Sequence, residues 1–107
     1  MEQLTGNVVR VSIGYFPSDK TEQIEAMTNN EFKNAVVPAV KKLNGNLGFY
    51  VGIDKQKHAI SNVSFWQSQE DAAQMNTLKE MLDMKVVFEA VGVNFIAITN
   101  ATINWEV

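Results

Sequence analysis

Apolar residues alternate with polar ones in some parts of the chain and recur at helical intervals in others, and this pattern predicts where the strands and helices lie. The stretch from 8 to 16 is rich in β-branched and aromatic residues and stops at Pro17, which cannot donate to a strand ladder. It therefore predicts a first strand. Residues 47–53 and 59–67 have the same character and are joined by a short polar segment, which predicts an antiparallel hairpin. The chain from 93 onward supplies a last strand.

The first helical region follows the first strand. Apolar residues recur at helical intervals from Ile24 to Leu43, and Asp19 with Glu22 has the spacing of a capping box. Pro38 lies inside this run and removes one backbone hydrogen bond, so we expect a helix that is kinked there or divided into two pieces. Gly45, in the segment Asn-Gly-Asn, is expected to end the region in a left-handed conformation.

The second helical region spans 69–91. Ser68 is placed to cap its first turn, and the segment Thr77–Glu80 offers a second capping box. We therefore expect two helical segments with a break near Asn76 rather than one long helix. Gly92 is expected to end the region.

The resulting order is strand, helix, strand, strand, helix, strand. That order predicts an α+β chain with the ferredoxin-like βαββαβ fold, in which two helices cover one face of a four-stranded antiparallel sheet. Residues 1–107 contain no internal repeat and no linker, so we expect a single domain.

Both faces of the predicted sheet carry apolar residues. Alternation in the first strand gives two apolar sides, with Val9, Val11, Ile13 and Tyr15 opposite Val8 and Phe16. The helices cover only one face, and a chain of this length has little left to cover the other. We therefore expect a homodimer in which two sheets meet face to face, forming a dimeric α+β barrel. The alternative is an open face with a few exposed apolar residues.

Composition narrows the class of protein. The chain has a net charge of −3 and a single arginine, Arg10, so it lacks the clustered basic face that nucleic acid binding requires. It has no cysteine, which excludes disulfides and thiolate metal sites, and no apolar run long enough to cross a membrane. Its first ten residues lack the basic start and apolar stretch of a signal peptide. We expect a cytoplasmic protein with no nucleic acid or membrane partner.

Asn62 is the most informative residue of the third strand. Strand interiors disfavour asparagine, and a buried amide without partners costs about 1–3 kcal/mol. Alternation places it on one face with Ile60, Ser64 and Trp66, a set that is polar enough to form the wall of a pocket. Trp66 offers a large flat surface and one N–H donor. The alternatives are that Asn62 bonds to Ser61, Ser64 or the backbone, and that Trp66 only fills the core.

The segment ISNVSFWQSQEDAAQM, residues 60–75, completes a resemblance that begins with the strand order and the two-sided sheet. Together these features resemble the dimeric α+β barrel superfamily, and within it the antibiotic biosynthesis monooxygenase type. In that type a tryptophan often closes the third strand and precedes a polar turn and an acidic, alanine-rich helix start. The letters FWQSQEDAAQM match that layout, and the resemblance covers roughly residues 8–100.

The resemblance implies a pocket between the sheet and the helices of each subunit, with Asn62 and Trp66 as its catalytic residues. It implies chemistry without flavin, metal or haem, so no cofactor is expected. An acidic quinol-like substrate loses a proton and reduces oxygen itself, in a dry site that offers a polar group to the developing enolate. The leading hypothesis is therefore a small cofactor-independent monooxygenase or oxidase that acts on an aromatic quinol or phenolic compound.

Two departures separate this chain from particular branches of the superfamily. The haem-degrading branch relies on a helix histidine beyond the tryptophan, at a position where this chain has Asn76. Its one histidine, His58, lies in the polar hairpin connection and is expected to be an exposed bystander, so haem ligation is not expected. The quinone-forming branch has an arginine on the second helix in some members, where this chain has Lys79 and Lys85.

Further substrate-binding candidates lie near the proposed catalytic residues. Ser64 shares their face of the strand, and Met75 and Met81 give the second helical region a soft apolar side that suits a pocket for bulky rings. Tyr15 and Tyr50 are strand residues whose hydroxyl groups reach a ligand, or else belong to the core or an interface. Two other functions stay open, namely binding or isomerisation of a small apolar metabolite without redox chemistry, and a dimeric domain with no small-molecule site.

Overall fold

The computed structural model describes residues 4–107, and its strands and helices follow the predicted order. Residues 1–3, part of the stretch searched for a signal peptide, lie outside the described residues. The strands are β1 (Val8–Tyr15), β2 (Asn46–Asp54), β3 (Ala59–Trp66), β4 (Asn94–Phe95) and β5 (Thr99–Thr102). The α-helices are α1 (Thr21–Met27), α2 (Lys33–Lys41), α3 (Gln69–Ala73) and α4 (Lys79–Ala90).

The sheet is antiparallel and has the order β2-β3-β1, with β4 and β5 both paired to the remaining edge of β1. Gly14 of β1 pairs with Phe95, and Val11 of β1 pairs with Thr99. These two pairs are three residues apart in β1 but four residues apart in the opposite segment. The extra residue makes a bulge at 96–98 that divides the predicted last strand in two. The sheet therefore has five strands where four were predicted, in the same ferredoxin-like topology.

Alternation along β3 separates two faces of the sheet, as predicted. The helices bury one side, here named the covered face, which in β3 consists of Ile60, Asn62, Ser64 and Trp66. The other side, here named the open face, carries Ser61, Val63 and Phe65 of β3 with their neighbours Ile13, Val11 and Val9 of β1 and Tyr50 of β2.

The first helical region is irregular at a place that the sequence did not indicate. A π-helical turn at Thr28–Phe32 joins α1 to α2, and α2 runs through Pro38 without interruption, so the expected division at Pro38 is wrong. The buried side chains of this part recur every four residues, at Thr28, Phe32, Val36 and Val40. Four exceeds the 3.6 residues of an α-helical turn. The wider π turn, in which the Lys33 N–H donates to the Thr28 carbonyl, keeps these side chains on one side of the helix.

Neither predicted capping box forms, at Asp19–Glu22 or at Thr77–Glu80. Ser18–Lys20 makes a 3₁₀ turn, and α1 begins at Thr21 without a side-chain cap because the turn already supplies backbone carbonyl groups. Leu78 is extended, so α4 begins one residue after it and the threonine lies outside the capping position.

The other predicted boundaries are confirmed. The Ser68 hydroxyl oxygen accepts a 3.0 Å hydrogen bond from the Asp71 backbone N–H and caps α3. A 3₁₀ turn at Gln74–Asn76 then breaks the second helical region. Gly45 and Gly92 have positive φ angles of 71° and 100°, where the chain turns out of a helical region.

One core lies between the helices and the covered face. Phe88 of α4 is central to it, because its ring meets Phe32 edge-on at 5.4 Å and Phe95 at 6.5 Å. These contacts hold α4 above the junction of β1 with the bulged edge. Within the part of the chain that the structure describes, no helix has the length and apolar character needed to cross a membrane.

Candidate functional site

A cavity of about 270 Å³ lies between the covered face and α4. Neighbouring residues of two strands form its floor, namely Arg10 and Ser12 of β1 with Ile60 and Asn62 of β3. Flexible or aromatic apolar side chains form its walls, namely Phe32, Met75, Met81, Met84 and Phe88. The cavity is therefore mostly apolar with a few polar groups on one side, which is the usual character of a small-molecule site.

The space stays open because short side chains meet on its floor. Ser12 lies directly opposite Asn62 in the pairing of β1 with β3, and both short side chains line the cavity. The bulge carries the exposed side chains of Ile96 and Ile98 to the mouth of the cavity, opposite Leu82 of α4. The irregular last strand thus provides the opening.

Asn62 is buried in the cavity floor, and its amide oxygen has no hydrogen-bond partner among the described residues. The alternative partner Ser64 is engaged elsewhere, because its hydroxyl oxygen accepts a 2.8 Å bond from Trp66 Nε1. A buried acceptor that is left unpaired costs about 1–3 kcal/mol. A hydroxyl group of a molecule bound in the cavity offers the missing donor.

The structure brings together only some of the predicted site residues. Trp66 is fully buried and its N–H is satisfied by Ser64, so neither residue lines the cavity. Tyr15 and Tyr50 lie on the open face, where Tyr50 is 63% exposed. The predicted residues that do line the cavity are Asn62, Met75 and Met81. The binding or catalytic roles of all seven predicted residues stay predictions.

Arg10 is a cavity residue that the sequence analysis did not single out. It is only 6% exposed; its Nη1 donates to Asn100 Oδ1 at 3.2 Å and its Nη2 donates to Asn76 Oδ1 at 2.9 Å. Burial lowers the pKa of the guanidinium from its ordinary value, although an arginine stays charged at neutral pH. A sequence signal existed, because the alternation that places Val8 and Phe16 on the covered face places Arg10 there too.

The charged groups around the cavity are cationic. Lys85 of α4 lines it together with Arg10, and no acidic or histidine side chain of residues 4–107 does so.

His58 is half-buried in the hairpin beside the ring of Phe16, so the expectation of an exposed histidine is wrong. The left-handed turn at His58, with a φ of 54°, directs its chain back toward the sheet. In the described part of the chain, no group of three or more acidic or histidine residues is placed to hold a metal ion.

No protein-family model matches this sequence, and no curated protein is significantly similar to it. Solved structures do match. One is a "putative antibiotic biosynthesis monooxygenase" from Deinococcus radiodurans, with a TM-score of 0.72 and 12% identity over 94% of this chain and 95% of its own. Another, a dimeric protein of unknown function and ferredoxin-like fold from Bacteroides fragilis, has a TM-score of 0.71 and 16% identity over 92% and 98%. A "putative antibiotic biosynthesis monooxygenase" from Nitrosomonas europaea has a TM-score of 0.64 and 13% identity over 94% and 91%.

These likenesses confirm the predicted fold. They extend over nearly the whole of each chain, and at this level of identity they describe the path of the chain and not its activity. The protein has a ferredoxin-like fold, as the Bacteroides fragilis protein does, and its chain follows a path similar to those of the Deinococcus radiodurans and Nitrosomonas europaea structures.

Proposed function

We propose that this protein is a cofactor-independent monooxygenase or oxidase that acts on a small aromatic quinol or phenol in the cavity above Asn62. The observation that carries the proposal is the unpartnered amide oxygen of Asn62 in the floor of a largely apolar cavity. A substrate hydroxyl group donates to that oxygen, while Met81 and Phe88 contact the ring. The Deinococcus radiodurans and Nitrosomonas europaea structures are each described as a "putative antibiotic biosynthesis monooxygenase", and that description, rather than the fold itself, supports the proposed class of chemistry.

The proposed reaction takes its electrons from the substrate. The hydroxyl group that donates to Asn62 keeps its proton, while a second acidic group of the substrate loses a proton to solvent at the cavity mouth and the ring becomes an electron-rich enolate. In an oxidase reaction the quinol gives two electrons and two protons to O₂, and the products are a quinone and hydrogen peroxide. In a monooxygenase reaction the keto tautomer of a phenol reacts with O₂, its ring CH₂ group becomes a carbonyl, and the second oxygen atom leaves as water with the two hydrogens. The cavity contributes by excluding water and by fixing the substrate oxygen at its polar floor.

The size of the cavity limits the substrate. An engineered cavity of about 150 Å³ in another protein holds one benzene ring. A volume of about 270 Å³ therefore suits one ring or two fused rings. Naphthalene diols match this space better than three-ring anthrones do.

A homodimer is part of the proposal because the open face is apolar. Val11 lies opposite Val63 and Val9 lies opposite Phe65, which gives a continuous apolar strip across β1 and β3. Two such strips related by a twofold axis cover each other. The Bacteroides fragilis structure of the same fold is of a dimeric protein.

Oxygen uptake with 1,4-dihydroxynaphthalene tests the proposal. The protein is compared with Asn62→Leu, and Asn30→Leu makes the same exchange on the exposed side of the π-helical turn as a control. We expect uptake above the uncatalysed rate for the protein and the control, and about a hundredfold less for Asn62→Leu, as for the loss of one positioned polar group. Uptake at the uncatalysed rate with several one-ring and two-ring quinols contradicts the proposal. That result would leave the binding of a small molecule without redox chemistry as the better explanation of the cavity.

A further inference from the structure

The cavity is positively charged although the chain as a whole is not. Twelve acidic and nine basic residues give the chain a net charge of −3. Among the described residues, the charged side chains that line the cavity are Arg10 and Lys85, and both are cations. A largely apolar cavity with this charge favours an anionic occupant over a neutral one.

Arg10 has binding capacity that its neighbours do not use. A guanidinium has five N–H donors, and the two hydrogen bonds that Arg10 makes within residues 4–107 go to the neutral amide oxygens of Asn76 and Asn100. No carboxylate of those residues forms an ion pair with it. A cation taken out of water without a counter-charge is unfavourable. A carboxylate brought into the cavity supplies the counter-charge, since a planar guanidinium pairs with it through two parallel N–H bonds.

We propose that Arg10 is the anion-binding residue of the cavity and that the ligand is a small aromatic carboxylate. This inference rests on the proposed function for its site, but it concerns recognition of the ligand and not its oxidation. It names the substrate class as an aromatic ring that carries a carboxylate.

The sheet register favours a ligand that carries a carboxylate and a hydroxyl group at two ends of the same ring. Arg10 and Asn62 belong to neighbouring strands and the same face, because Ser12, two residues from Arg10, is the direct partner of Asn62. Side chains in this diagonal relation start about 7 Å apart. A ring with a carboxylate at one end and a hydroxyl group at the other bridges that distance. Hydroxyaryl carboxylates therefore satisfy Arg10 and the amide oxygen of Asn62 at the same time.

A purely structural arginine is the competing explanation. Through its bonds to Asn76 and Asn100, Arg10 ties the 3₁₀ turn before α4 to β5. That role requires the two bonds and nothing in the cavity. The two explanations differ in one measurable respect, because only an anion-binding Arg10 makes the preference for a charged ligand depend on Arg10 rather than on Lys85, the other cation of the cavity.

Calorimetric titration with 2-naphthoate and with the neutral 2-naphthamide measures that dependence. We expect the unmodified protein to bind naphthoate at least about tenfold more tightly than naphthamide, and Arg10→Met to lose this preference. Arg10→Lys keeps the charge but not the planar fork, so it should keep only part of the preference. Lys57→Met removes one positive charge from the exposed hairpin and serves as the control, with the preference retained.

If Arg10→Met folds poorly, the comparison of the two probes on the unmodified protein and on Arg10→Lys still tests the inference. Equal affinity for both probes, binding of neither probe, or a preference that survives in Arg10→Met overturns the inference. Neither probe is a quinol, so the result is independent of oxidation. If naphthoate binds as expected and several one-ring and two-ring quinols give no oxygen uptake, the oxygenase proposal fails while the anion site stands.

Discussion

The polarity of the two faces of the sheet is the reverse of what their surroundings lead one to expect. Along β1 and β3 the covered face carries the polar residues Arg10, Ser12, Asn62 and Ser64, while the open face of the same strands is mostly apolar. In a sheet with helices on one side, polar residues normally belong to the side that faces water. We propose that each face is completed by something outside the chain, namely a ligand under the helices and a second subunit on the open face.

The covered face itself has a packed part and a hollow part. In the packed part, Ser64 and Trp66 satisfy each other's polar atoms and the indole fills space. In the hollow part, Ser12 and Asn62 leave space and an unpaired acceptor. Substitutions should therefore lower stability in the packed part, raise it in the hollow part and alter assembly on the open face.

Trp66→Ala is expected to have the largest effect, because it empties the packed part of the covered face. The side chain is fully buried, and truncations of this kind lower the free energy of unfolding by about 3–5 kcal/mol. Denaturant titration followed by circular dichroism measures the loss. Trp105→Ala is the control, since Trp105 is 74% exposed and its removal should change the free energy by less than about 0.5 kcal/mol. Similar losses in the two variants would mean that the packed part of the covered face is not a major source of the stability.

Val63→Lys should come next, because it tests whether a partner covers the open face. Val63 lies between Val11 of β1 and Tyr50 of β2, so a twofold dimer through this face buries two lysines close to its axis. We expect the dissociation constant of the dimer to rise at least about a hundredfold, since an unpaired charge is poorly tolerated in an apolar interface. Sedimentation velocity over a range of protein concentrations measures the change.

Val86→Lys is the matched control for the open face. Val86 is 66% exposed on α4, and lysine there should leave the association unchanged. A protein that is monomeric at every concentration, or that dimerises equally well after Val63→Lys, would show that no second subunit covers the open face.

Asn62→Leu and Ser64→Ala should have smaller effects of opposite sign. Asn62→Leu removes an unpaired buried amide and is expected to raise the free energy of unfolding by about 1 kcal/mol. Ser64→Ala leaves the buried Trp66 N–H without its acceptor and is expected to lower it by about 1–3 kcal/mol. Thermal and denaturant unfolding of both variants measure the two changes in the free energy of unfolding. A loss of stability in Asn62→Leu would mean that the amide is satisfied in solution, and the hollow part would no longer stand apart.

The fold could be predicted from the sequence because its signals are local. β-Branched runs, the short connection between β2 and β3, and Ser68 before α3 each act over a few residues. The π-helical turn at Thr28–Phe32 could not be predicted, since a four-residue spacing of buried side chains looks helical in any short window. The bulge at 96–98 depends on pairing with β1, which is a property of the assembled sheet.

The candidate site was predictable only in part, for a related reason. Alternation places Asn62 and Trp66 on one face, but it does not show where along that face the helices leave space. Arg10 lies on the same face by the same rule. Its importance depends on partners from distant segments, Asn76 and Asn100, which only the tertiary structure brings to it.

Glu106→Gln should have the smallest effect, because Glu106 lies at neither face but ties the two ends of the described chain together. Its carboxylate accepts hydrogen bonds from the backbone N–H groups of Thr5, at 3.0 Å, and Leu4, and these bonds lower the pKa of the carboxyl group below its ordinary value. Since the folded state holds this proton less tightly than the unfolded state, the contact stabilises the fold above the unfolded pKa of about 4.3. That stabilisation is lost as the pH falls through the lower folded pKa.

The expected result is a small decrease in the melting temperature of Glu106→Gln at pH 7 that disappears in strongly acidic solution. Glu31→Gln removes the same charge from an exposed position of the π-helical turn and separates a change in net charge from loss of the contact. Differential scanning calorimetry of the three proteins at several pH values makes the comparison. If Glu106→Gln and Glu31→Gln follow the same curve, the terminal contact contributes nothing measurable to the stability of the fold.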